Sequence, residues 1–307
     1  MKFQLKSRIK RILPQSLVNA LQLLLNLPQT LERTLEKRRT QRIFTVTIDG
    51  PSYLDINALE TLQKKYPHRR YEYDPHTLEV RGMERATQIL HLPKAQEAHS
   101  FLELGCGDGM VSCCLRRKGK ETTAVDNTDA EFNKRASDEG VSLLQMDAAD
   151  LRFEDESFDF VFSYDAFEHF ASPEDVLRET LRVTKKGGYI YLNFGPLYYA
   201  SYGEHAYHSI TVPYCQFLFK KDLINDFATQ KGLAPIDFSY VNGWPLENYR
   251  ELWNKYSQVL KRVSYKESPD LYHLDLISTY PSCFQSKSNN FENFITDRKY
   301  NCAISEN

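Results

Sequence analysis

The sequence predicts an α/β fold in which a mostly parallel sheet carries helices on both faces. The first indication is a regular alternation of apolar strands and helical segments that starts at Ser100 and continues to Phe194. The second is a glycine-rich turn, Gly105-Cys106-Gly107-Asp108-Gly109, where the first strand passes into the first helix. The third is a carboxylate at the end of each of the next two strands, Asp126 and Asp147.

The same alternation predicts the individual elements of this region. Strands are expected at residues 100–104, 122–126, 141–146, 158–163 and 189–194. A helix is expected at 109–118, a second one opens at the capping box of Thr128 and Glu131, and a third is capped by Ser172-Pro173. Later elements are expected as helices at 221–230 and after Pro245, and as strands at 236–241 and 271–280.

The chain ahead of Ser100 is predicted to form two further regions. Residues 1–42 are predicted to be a basic, amphipathic helical extension that Pro14 divides and Pro28 interrupts. Residues 43–98 are predicted to be a mostly helical region that covers the α/β domain. Its elements are expected as a short strand at 43–48 and helices at 54–66 and 81–92. The last residues, 286–307, are expected to form a poorly structured tail.

The charge distribution of the chain is asymmetric. Ten lysines and arginines against two glutamates give residues 1–42 a formal charge of +8, so that the remainder, from a total of −2, carries −10. A basic amphipathic helix of this kind predicts contact with an anionic membrane surface. The alternative interpretation is a helical arm that packs on its own domain or on a second subunit.

Composition excludes several classes of protein. The chain has 307 residues, of which 41% are hydrophobic, and its mean hydropathy is −0.53, which excludes a polytopic membrane protein and a disordered chain. The acidic body argues against a nucleic-acid partner, since a surface that follows phosphates is basic. The six cysteines include no CxxC pair, which favours a reducing compartment. The expected location is cytoplasmic, with peripheral association to a membrane through residues 1–42 as the open alternative.

The glycine-rich turn predicts a ligand smaller than a dinucleotide. Glycine allows the backbone to turn tightly and to approach a ligand, and the helix that follows offers unpaired N–H groups. A dinucleotide fingerprint needs a third glycine at the position of Met110, so a nicotinamide dehydrogenase is disfavoured. Asp126 ends the second strand, where a carboxylate can accept hydrogen bonds from the two hydroxyls of a ribose. A helix N-cap is the alternative role for Asp126.

The motifs LELGCGDG, AVDN, QMDAADL, SFDFVFSYDAFEH and KKGGYIYLNF follow one another between Ser100 and Phe194. In combination they resemble the class I, Rossmann-like, S-adenosylmethionine-dependent methyltransferases, and within these the small-molecule (type 11-like) branch. The resemblance implies a seven-stranded sheet whose two late strands form an antiparallel hairpin at its edge, in a domain at 99–285. A helix near 245–262 would then be inserted between those two strands.

The resemblance also implies a site for S-adenosylmethionine along the carboxyl edge of the strands. The glycines would surround the methionine part, with a glutamate supporting them. The acids after the second and third strands would hold the ribose hydroxyls and the adenine, and a serine would line the end of the fourth strand. The residues so assigned are Glu103, Gly105, Gly107, Gly109, Asp126, Asn127, Asp147, Ala148 and Ser163.

The segment after the fourth strand carries candidate catalytic groups. If it is helical, Asp165, Glu168 and His169 share one face, and two carboxylates with an imidazole could bind Mg²⁺ or Mn²⁺. This set resembles the metal triad of ubiquinone-pathway O-methyltransferases and of small-RNA 3′-end 2′-O-methyltransferases, which carry glutamate where this chain has Asp165. Three alternatives stay open: a metal site, a metal-free catalytic or substrate-contacting role for Glu168 and His169, and a purely structural pair.

The segment after the fifth strand, residues 196–208, is rich in tyrosine and histidine, as ligand pockets often are. His205 and His208 are candidates for a general base, a further metal ligand or a substrate anchor, and the alternative is that both are solvated loop residues.

The function expected from these features is methyl transfer to an oxygen of a small-molecule or envelope-associated acceptor. Two alternatives remain. One is a catalytically silent scaffold that binds S-adenosylmethionine, and the other is an RNA 2′-O-methyltransferase.

Overall fold

The computed structural model of the chain describes residues 15–46, 49–66 and 74–305, and the side chains among them from residue 29 to residue 297. The predictions for residues 1–14, with a boundary at Pro14, lie outside these ranges. The described part begins with three helices, α1 (Gln15–Thr45), α2 (Ile56–Lys65) and α3 (Pro75–Leu90). Within it, no helix has an apolar stretch of the length needed to cross a membrane.

The α/β domain starts with β1. Its first half contains β1 (Ser100–Leu104), α4 (Met110–Arg116), β2 (Glu121–Asp126), α5 (Lys134–Asp138), β3 (Ser142–Gln145), β4 (Phe158–Tyr164), a 3₁₀ turn (Phe167–His169), α6 (Pro173–Val183) and β5 (Thr184–Phe194). Its second half contains α7 (Cys215–Leu218), α8 (Lys221–Gln230), α9 (Leu246–Lys255), β6 (Leu260–Pro269), α10 (Leu274–Thr279), α11 (Pro281–Gln285), α12 (Phe291–Phe294) and β7 (Thr296–Ser305).

The seven strands of the described chain form one sheet in the order β3-β2-β1-β4-β5-β7-β6. Strands β1 to β5 are parallel, and β7 pairs antiparallel with both β5 and β6. The predicted α/β fold with a mostly parallel sheet is therefore confirmed, with five parallel strands and an antiparallel hairpin at the edge. The strand order reverses between β1 and β4, and in such sheets ligands bind in the crevice at that point.

The sheet is covered on both faces. Side chains alternate along each strand, so that Val161 and Ile190 face one side while Phe160 and Tyr189 face the other. The first side packs against α6 and α9, and the second against α3 and α4. A separate aromatic cluster, which includes Tyr214, Phe217, Phe284 and Phe294, lies beyond the end of β5 and supports the loop that follows this strand.

The N-terminal prediction is wrong in two respects. Helix α1 continues through Pro28, because a proline removes only one backbone donor from a helix of 31 residues. Of the strand expected at 43–48, residues 43–45 belong to the end of α1 instead, and residues 47 and 48 lie outside the described ranges. The side-chain amide of Gln285 donates to the carbonyls of Phe44 and Val46 at 2.6 and 2.8 Å. These carbonyls at the C-terminus of α1 are therefore bound by a side chain and not by a neighbouring strand. Buried Phe44 fixes this end against α12.

The capping box of Thr128 and Glu131 does not open a helix. The Oγ1 of Thr128 accepts from the Ala130 N–H at 3.2 Å and forms a local turn. The chain is then redirected because the N–H of Asn133 donates to the carbonyl of Asp108 at 3.1 Å. Helix α5 begins only after Asn133, whose side chain caps it.

Two late strands and the tail also differ from the prediction. Residues 236–241 form turns, since the side chains of Asn225 and Asp237 accept the N–H groups of Ile236 and Ser239. Residues 271–280 contain helix α10. The expected tail contains β7, which is paired on both sides and adds its strand to the sheet beyond the boundary predicted at residue 285. Helix α9 precedes the terminal hairpin, whereas it was expected between its strands.

Candidate active site

The turn after β1 needs glycine at three positions. The φ angles of Gly105, Gly107 and Gly109 are +67°, +52° and +71°, a region that strains other residues. A Cβ on Gly105 would lie 2.5 Å from the Cβ of Ala166, and one on Gly109 would lie 2.7 Å from a methyl group of Leu143. The turn therefore approaches both the segment after β4 and strand β3 more closely than a side chain allows.

Asp126 faces this turn from the end of β2. Its Oδ2 accepts a hydrogen bond from the N–H of Gly107 at 2.8 Å, and its Oδ1 lies 3.5 Å from the N–H of Thr128. The side chain is half-buried. Because a carboxylate offers about four acceptor positions, Asp126 retains capacity for the hydroxyls of a ligand in the crevice.

The ends of β2 and β3 are adjacent. The N–H of Met146 donates to the carbonyl of Asp126 at 2.7 Å, and the amide of Gln145 donates to the carbonyl of Asn127 at 3.0 Å. Asp147 is exposed and accepts from the N–H of Ala149 at 2.8 Å, whereas Ala148 is buried. The two acids assigned to the ribose and the adenine thus follow neighbouring strands at one edge of the sheet.

Glu103 lies behind the glycine turn and is 2% exposed. Its Oε2 accepts from the N–H and the hydroxyl of Ser112 at 3.1 and 2.6 Å, and so joins β1 to the start of α4. Burial raises the pKa of Glu103 to about 8. The carboxyl group supports the turn from the interior of the domain.

Ser163 is completely buried near the end of β4, and its hydroxyl has no hydrogen-bond partner among the described residues. A buried hydroxyl without a partner is unfavourable, and a polar group of a ligand would satisfy it. The roles of Glu103, Ser163 and the other residues assigned to a cofactor remain predictions.

Helix α3 covers the carboxyl edge of the sheet and is attached to it by two arginines. Arg81 pairs with Asp108 of the glycine turn at 2.5 Å, and Arg85 pairs with Asp165 after β4. Gly82 lies between them, and a Cβ there would approach the carbonyl of Met110 to 2.7 Å. The helix is therefore in direct backbone contact with the first turn of α4.

The segment after β4 is a 3₁₀ turn instead of the α-helix that a shared face would require. Asn242 holds this turn in place. Its N–H donates to the carbonyl of Glu168 at 2.9 Å, and its side-chain amide donates to the carbonyl of Phe170 at 3.2 Å. Its Oδ1 accepts from the hydroxyl of Tyr249 at 3.0 Å, which connects the turn to α9.

One ring nitrogen of His169 can act as a base. Its Nδ1 lies 2.8 Å from the carbonyl oxygen of Tyr240, and since a carbonyl only accepts, Nδ1 must carry the proton. This leaves Nε2 as the basic nitrogen. Burial lowers the pKa of His169 below its usual range, which favours the neutral imidazole. The ring of His205 meets that of His169 edge-on, with centroids 4.7 Å apart.

The predicted triad is not the group that the structure assembles. The carboxylate of Asp165 is engaged by Arg85, while ligand atoms of Glu168, His169 and His205 all lie within 4.8 Å of one another. Glu168 is 1% exposed, and its Oε1 accepts from the N–H of Gly195 at 2.9 Å. Asp165 has a different orientation because its φ is +53°, which no α-helix contains.

The two loop histidines differ. The Nε2 of His205 donates to the carbonyl of Pro196 at 3.0 Å, so this ring is fixed beside His169. His208 is exposed, with its ring 5.1 Å from that of Tyr207. His205 therefore lies within the site beside His169, and the ring contact of His208 that is described is the one with Tyr207.

Four residues of this region were not predicted: Arg81, Arg85, Tyr240 and Asn242. Each lies more than 25 positions from its partner in the chain. Local spacing gives no signal for such contacts. Only the i, i+4 placement of Arg81 and Arg85 on one helix face could have indicated a shared anionic surface.

Comparison with known proteins agrees with this geometry. A family model described as a methyltransferase domain matches residues 102–192, which contain the glycine turn, Asp126, Asp147 and His169. Residues 102–192 of this chain therefore form a methyltransferase domain. The match begins inside β1 and ends inside β5, and thus includes all five parallel strands of the sheet.

Individual curated proteins match part of this chain. The ubiquinone biosynthesis O-methyltransferase of Pseudomonas syringae pv. tomato is 31% identical over 149 residues, which cover 45% of this chain and 61% of that protein. The demethylmenaquinone methyltransferase of Clavibacter sepedonicus is 36% identical over 94 residues, covering 29% and 38%. The chain thus spans less than two thirds of the length of either relative. A solved protein from Pyrococcus horikoshii, 16% identical, superposes with a TM-score of 0.46 over 76% of this chain and 92% of its own.

Proposed function

We propose that the chain transfers a methyl group from S-adenosylmethionine to a hydroxyl oxygen of a small, apolar acceptor. The observation that carries this proposal is the orientation of His169, whose Nδ1 is bound to the carbonyl of Tyr240 and whose Nε2 is basic. Transfer to an oxygen needs a group that accepts the hydroxyl proton as the methyl group arrives. The placement of His169 at the carboxyl edge, next to the glycine turn, supports that role.

The residues of the crevice fit S-adenosylmethionine. A side chain on Gly105 would collide with Ala166, and a backbone without Cβ atoms leaves the turn open for the methionine part. Asp126, oriented by the N–H of Gly107, would hold the ribose, and Asp147 with Ala148 would hold the adenine. When bound, the cofactor supplies a carbon activated by a sulfonium.

The protein contributes position, exclusion of water and proton transfer. Helix α3, attached by Arg81 and Arg85, would close the crevice above the glycine turn. His169 Nε2 would take the proton of the acceptor hydroxyl, and His205 would fix the ring of His169 by edge-on contact. Glu168, held by Gly195, would set the electrostatic environment of the imidazole. His208 is assigned to the outer rim of the acceptor site.

Two of the relatives are named for ubiquinone and for demethylmenaquinone. Both names denote quinones with lipid-soluble tails, which supports an acceptor that resides in or near a membrane. The loop after β5 would supply aromatic contacts for such a molecule from Tyr198 and Tyr199, whose rings pack against Phe217 with centroids 5.5 and 5.2 Å apart.

The N-terminal arm is proposed to bring the enzyme to an anionic membrane surface. One face of α1 packs on the domain through Thr40 and Phe44. The opposite face exposes Leu31 and Leu35, by 57% and 64%, and the arginines of this face are also exposed. These arginines are Arg38, Arg39 and Arg42. Exposed leucines beside arginines are typical of helices that lie at the headgroup boundary.

A divalent ion is a second candidate for the group that activates the acceptor. It is favoured by one observation, the convergence of ligand atoms from Glu168, His169 and His205 within 4.8 Å. Two imidazoles and a carboxylate suit Mn²⁺ or Zn²⁺ better than Mg²⁺. An ion held there would polarise the acceptor oxygen.

The proposal is tested by following a labelled methyl group. The protein is incubated with tritiated S-adenosylmethionine and a lipid extract, a polar metabolite extract or total RNA, and products are identified by mass spectrometry. Methyl ethers in the lipid extract support the proposal. Label in RNA would support an RNA methyltransferase instead, and cofactor binding without any product would indicate a silent scaffold. Turnover that disappears with a chelator and returns with Mn²⁺ would support activation of the acceptor by a bound divalent ion.

The membrane contact has its own test. Co-sedimentation with vesicles containing phosphatidylglycerol is compared with vesicles of phosphatidylcholine alone, using the full chain. Binding is expected only with the anionic lipid. The L31S/L35S variant should lose the part of the binding that survives high salt, and R38E/R42E the salt-sensitive part. Equal sedimentation with both vesicles would contradict the proposal.

A further inference from the structure

Tyr240 is an accessible aromatic residue in direct contact with the candidate base. Its side chain is 55% exposed, whereas Phe167, in the 3₁₀ turn that carries His169, is buried. The centroid of the Tyr240 ring lies 4.3 Å from that of His169 and 6.0 Å from that of His205. Ligand sites are lined mainly by aromatic and apolar side chains with a few polar groups among them. The exposed ring of Tyr240, next to a histidine that can act as a base, is such a combination.

The backbone around Tyr240 is held on both sides. The N–H of Tyr240 donates to the carbonyl of Asp237 at 3.2 Å, and two residues later the N–H of Asn242 donates to the carbonyl of Glu168 at 2.9 Å. Between these two contacts, the carbonyl of Tyr240 accepts from Nδ1 of His169. The ring of Tyr240 therefore belongs to the same fixed segment that orients the base.

The ring of Tyr240 is one of four adjacent rings. The ring of His205 meets that of His169 edge-on at 4.7 Å, and it lies 6.1 Å from the ring of Tyr207, with the two planes 31° apart. Tyr207 is half-buried. The four rings form one aromatic surface at the carboxyl edge of the sheet, and the basic nitrogen of His169 is part of this surface.

The position of the base determines where an acceptor would lie. A hydroxyl that gives its proton to Nε2 of His169 must approach this nitrogen to about 2.6–3.2 Å. The atoms that carry the hydroxyl then come within reach of Tyr240, because its ring is packed directly against the imidazole. Aromatic pairs have centroids about 4.5–7 Å apart. A ring that carries the hydroxyl can therefore contact Tyr240 while the hydroxyl binds Nε2.

The electrostatics of a tyrosine ring favour an aromatic neighbour over an aliphatic one. The face of the ring is negative and its edge is positive, so that two aromatic rings gain more from their contact than the apolar area they bury. A cation is the other group that such a face attracts. The acceptor that we propose above is apolar, which selects the aromatic ring, and binding of a cation is an outcome of the test.

We propose that Tyr240 is a specificity-determining residue whose exposed ring receives a flat, aromatic part of the acceptor. This inference rests on the proposed methyl transfer, because it places the acceptor hydroxyl at His169. It narrows the class of acceptor from a small apolar molecule with a hydroxyl to one whose methylated hydroxyl is carried by an aromatic ring or lies next to one.

The test compares two alcohols of similar size that differ in the flatness of their rings. Benzyl alcohol has an aromatic ring and cyclohexylmethanol has a puckered aliphatic ring, while both carry a primary hydroxyl. Their binding to the full chain is measured by ligand-observed NMR, with and without S-adenosylhomocysteine. We expect the wild-type protein to bind benzyl alcohol about twofold to tenfold more tightly, which is the range that one pair of aromatic rings supplies.

Three variants connect this preference to Tyr240. Tyr240→Ala removes the ring but keeps the carbonyl that orients His169, and it should abolish the preference for benzyl alcohol while the affinity for S-adenosylhomocysteine is unchanged. Tyr240→Phe keeps the ring and should keep the preference. Tyr272→Ala is the matched control, because Tyr272 is 57% exposed and its ring contacts Arg33. This variant should behave as wild type.

Equal binding of the two alcohols to the wild-type protein would overturn the inference, and so would a preference that survives Tyr240→Ala or that Tyr272→Ala also removes. Cyclohexylmethylamine, a cation at pH 7, is the third probe. If it bound more tightly than benzyl alcohol, the ring would be assigned to a cation and the inference would be overturned. Failure of S-adenosylhomocysteine to bind would refute the methyl transfer alone, since the preference between the alcohols is measured without cofactor as well.

Discussion

The guanidinium of Arg85 donates a hydrogen bond to the carboxylate of Asp165, and this contact joins helix α3 to the segment after β4. Arg85 also lies over the ring of Tyr164, with its central carbon 4.4 Å from the centroid. The contact explains why Asp165 does not join Glu168 and His169. It also makes α3 part of the active-site wall, because the neighbouring Arg81 binds the glycine turn in the same way.

The Arg85–Asp165 pair is expected to be energetically coupled. A double-mutant cycle with Arg85→Ala and Asp165→Ala, followed by chemical denaturation, should give a coupling free energy of about 0.5–3 kcal/mol. The exposed pair of Arg178 and Asp175 serves as the control and should give a value near zero. If instead Asp165→Ala abolished Mn²⁺ binding while Arg85→Ala did not, Asp165 would be a metal ligand and our interpretation of the pair would fail.

Alanine substitutions at two glycines with the same φ angle are expected to differ in their cost to stability. Gly105 and Gly232 have φ angles of +67° and +68°, but a Cβ at Gly105 meets Ala166 while one at Gly232 meets nothing within 4 Å. Gly232→Ala should cost about 1–2 kcal/mol, the strain of the left-handed region. Gly105→Ala should cost more and should also weaken binding of S-adenosylhomocysteine. Equal unfolding free energies for the two variants would show that the close approach to Ala166 is unimportant.

The parallel half of the fold could be predicted because its signals are local. Strands β1 to β4 and the second half of β5 are short apolar runs that end at a glycine or a polar residue, and α6 begins at the proline that follows Ser172. The C-terminal part of the domain could not be predicted from such local signals. Strand β7 exists because β5 and β6 pair with it on both sides. Helix α10 packs Leu274 and Ile277 into a cluster that also contains residues distant in the chain, such as Leu59 and Phe217.

The candidate site was predicted where its residues follow strand ends, and missed where it depends on long-range contacts. Asp126 and Gly107 meet because two adjacent strands end at the same edge of the sheet. The orientation of His169 depends on the carbonyl of Tyr240, 71 residues away. No spacing rule connects these two residues, and the helical spacing expected for Asp165 and His169 does not apply to a 3₁₀ turn.

The buried Glu103 predicts a pH dependence of stability. Its pKa is 4.5 in an unexceptional environment and about 8 in the folded protein. Between these two values the folded protein keeps the proton of Glu103, whereas the unfolded chain has released it. The protonated carboxyl therefore stabilises the folded state fully below pH 4.5, and this stabilisation is lost as the pH rises through 8. The loss is on the order of 3–5 kcal/mol for a shift of this size. Glu103→Gln should remove this part of the slope, measured as the unfolding free energy between pH 5 and 9. An identical slope in both proteins would contradict the raised pKa.

Asn242 is expected to position the catalytic turn without contacting substrate. Asn242→Ala removes the bonds to Phe170 and Tyr249, and should lower kcat by about tenfold to hundredfold as His169 loses its alignment. The affinity for S-adenosylhomocysteine should change less than twofold. Asn248→Ala, on the neighbouring helix, is the control. A variant with normal kcat would show that the turn holds its shape without Asn242.

The role of His169 as a base gives a further expectation. His169→Gln should reduce kcat by about 10²–10⁴-fold, the usual contribution of a general base, with little effect on cofactor affinity. His208→Gln should change kcat far less, because His208 is exposed. Comparable losses in the two variants, measured with the same acceptor, would disagree with the assignment of His169.

The central claim is that the glycine turn and Asp126 together bind an adenosyl nucleoside, and calorimetric titration of S-adenosylhomocysteine tests it most directly. The wild-type protein should bind this nucleoside and not NAD. Asp126→Ala should lose at least about tenfold in affinity, because a hydrogen-bonded carboxylate contributes about 1.5–3 kcal/mol, while Asp129→Ala should bind as wild type. Tight binding of NAD, or equal affinities in the wild type and Asp126→Ala, would contradict the account.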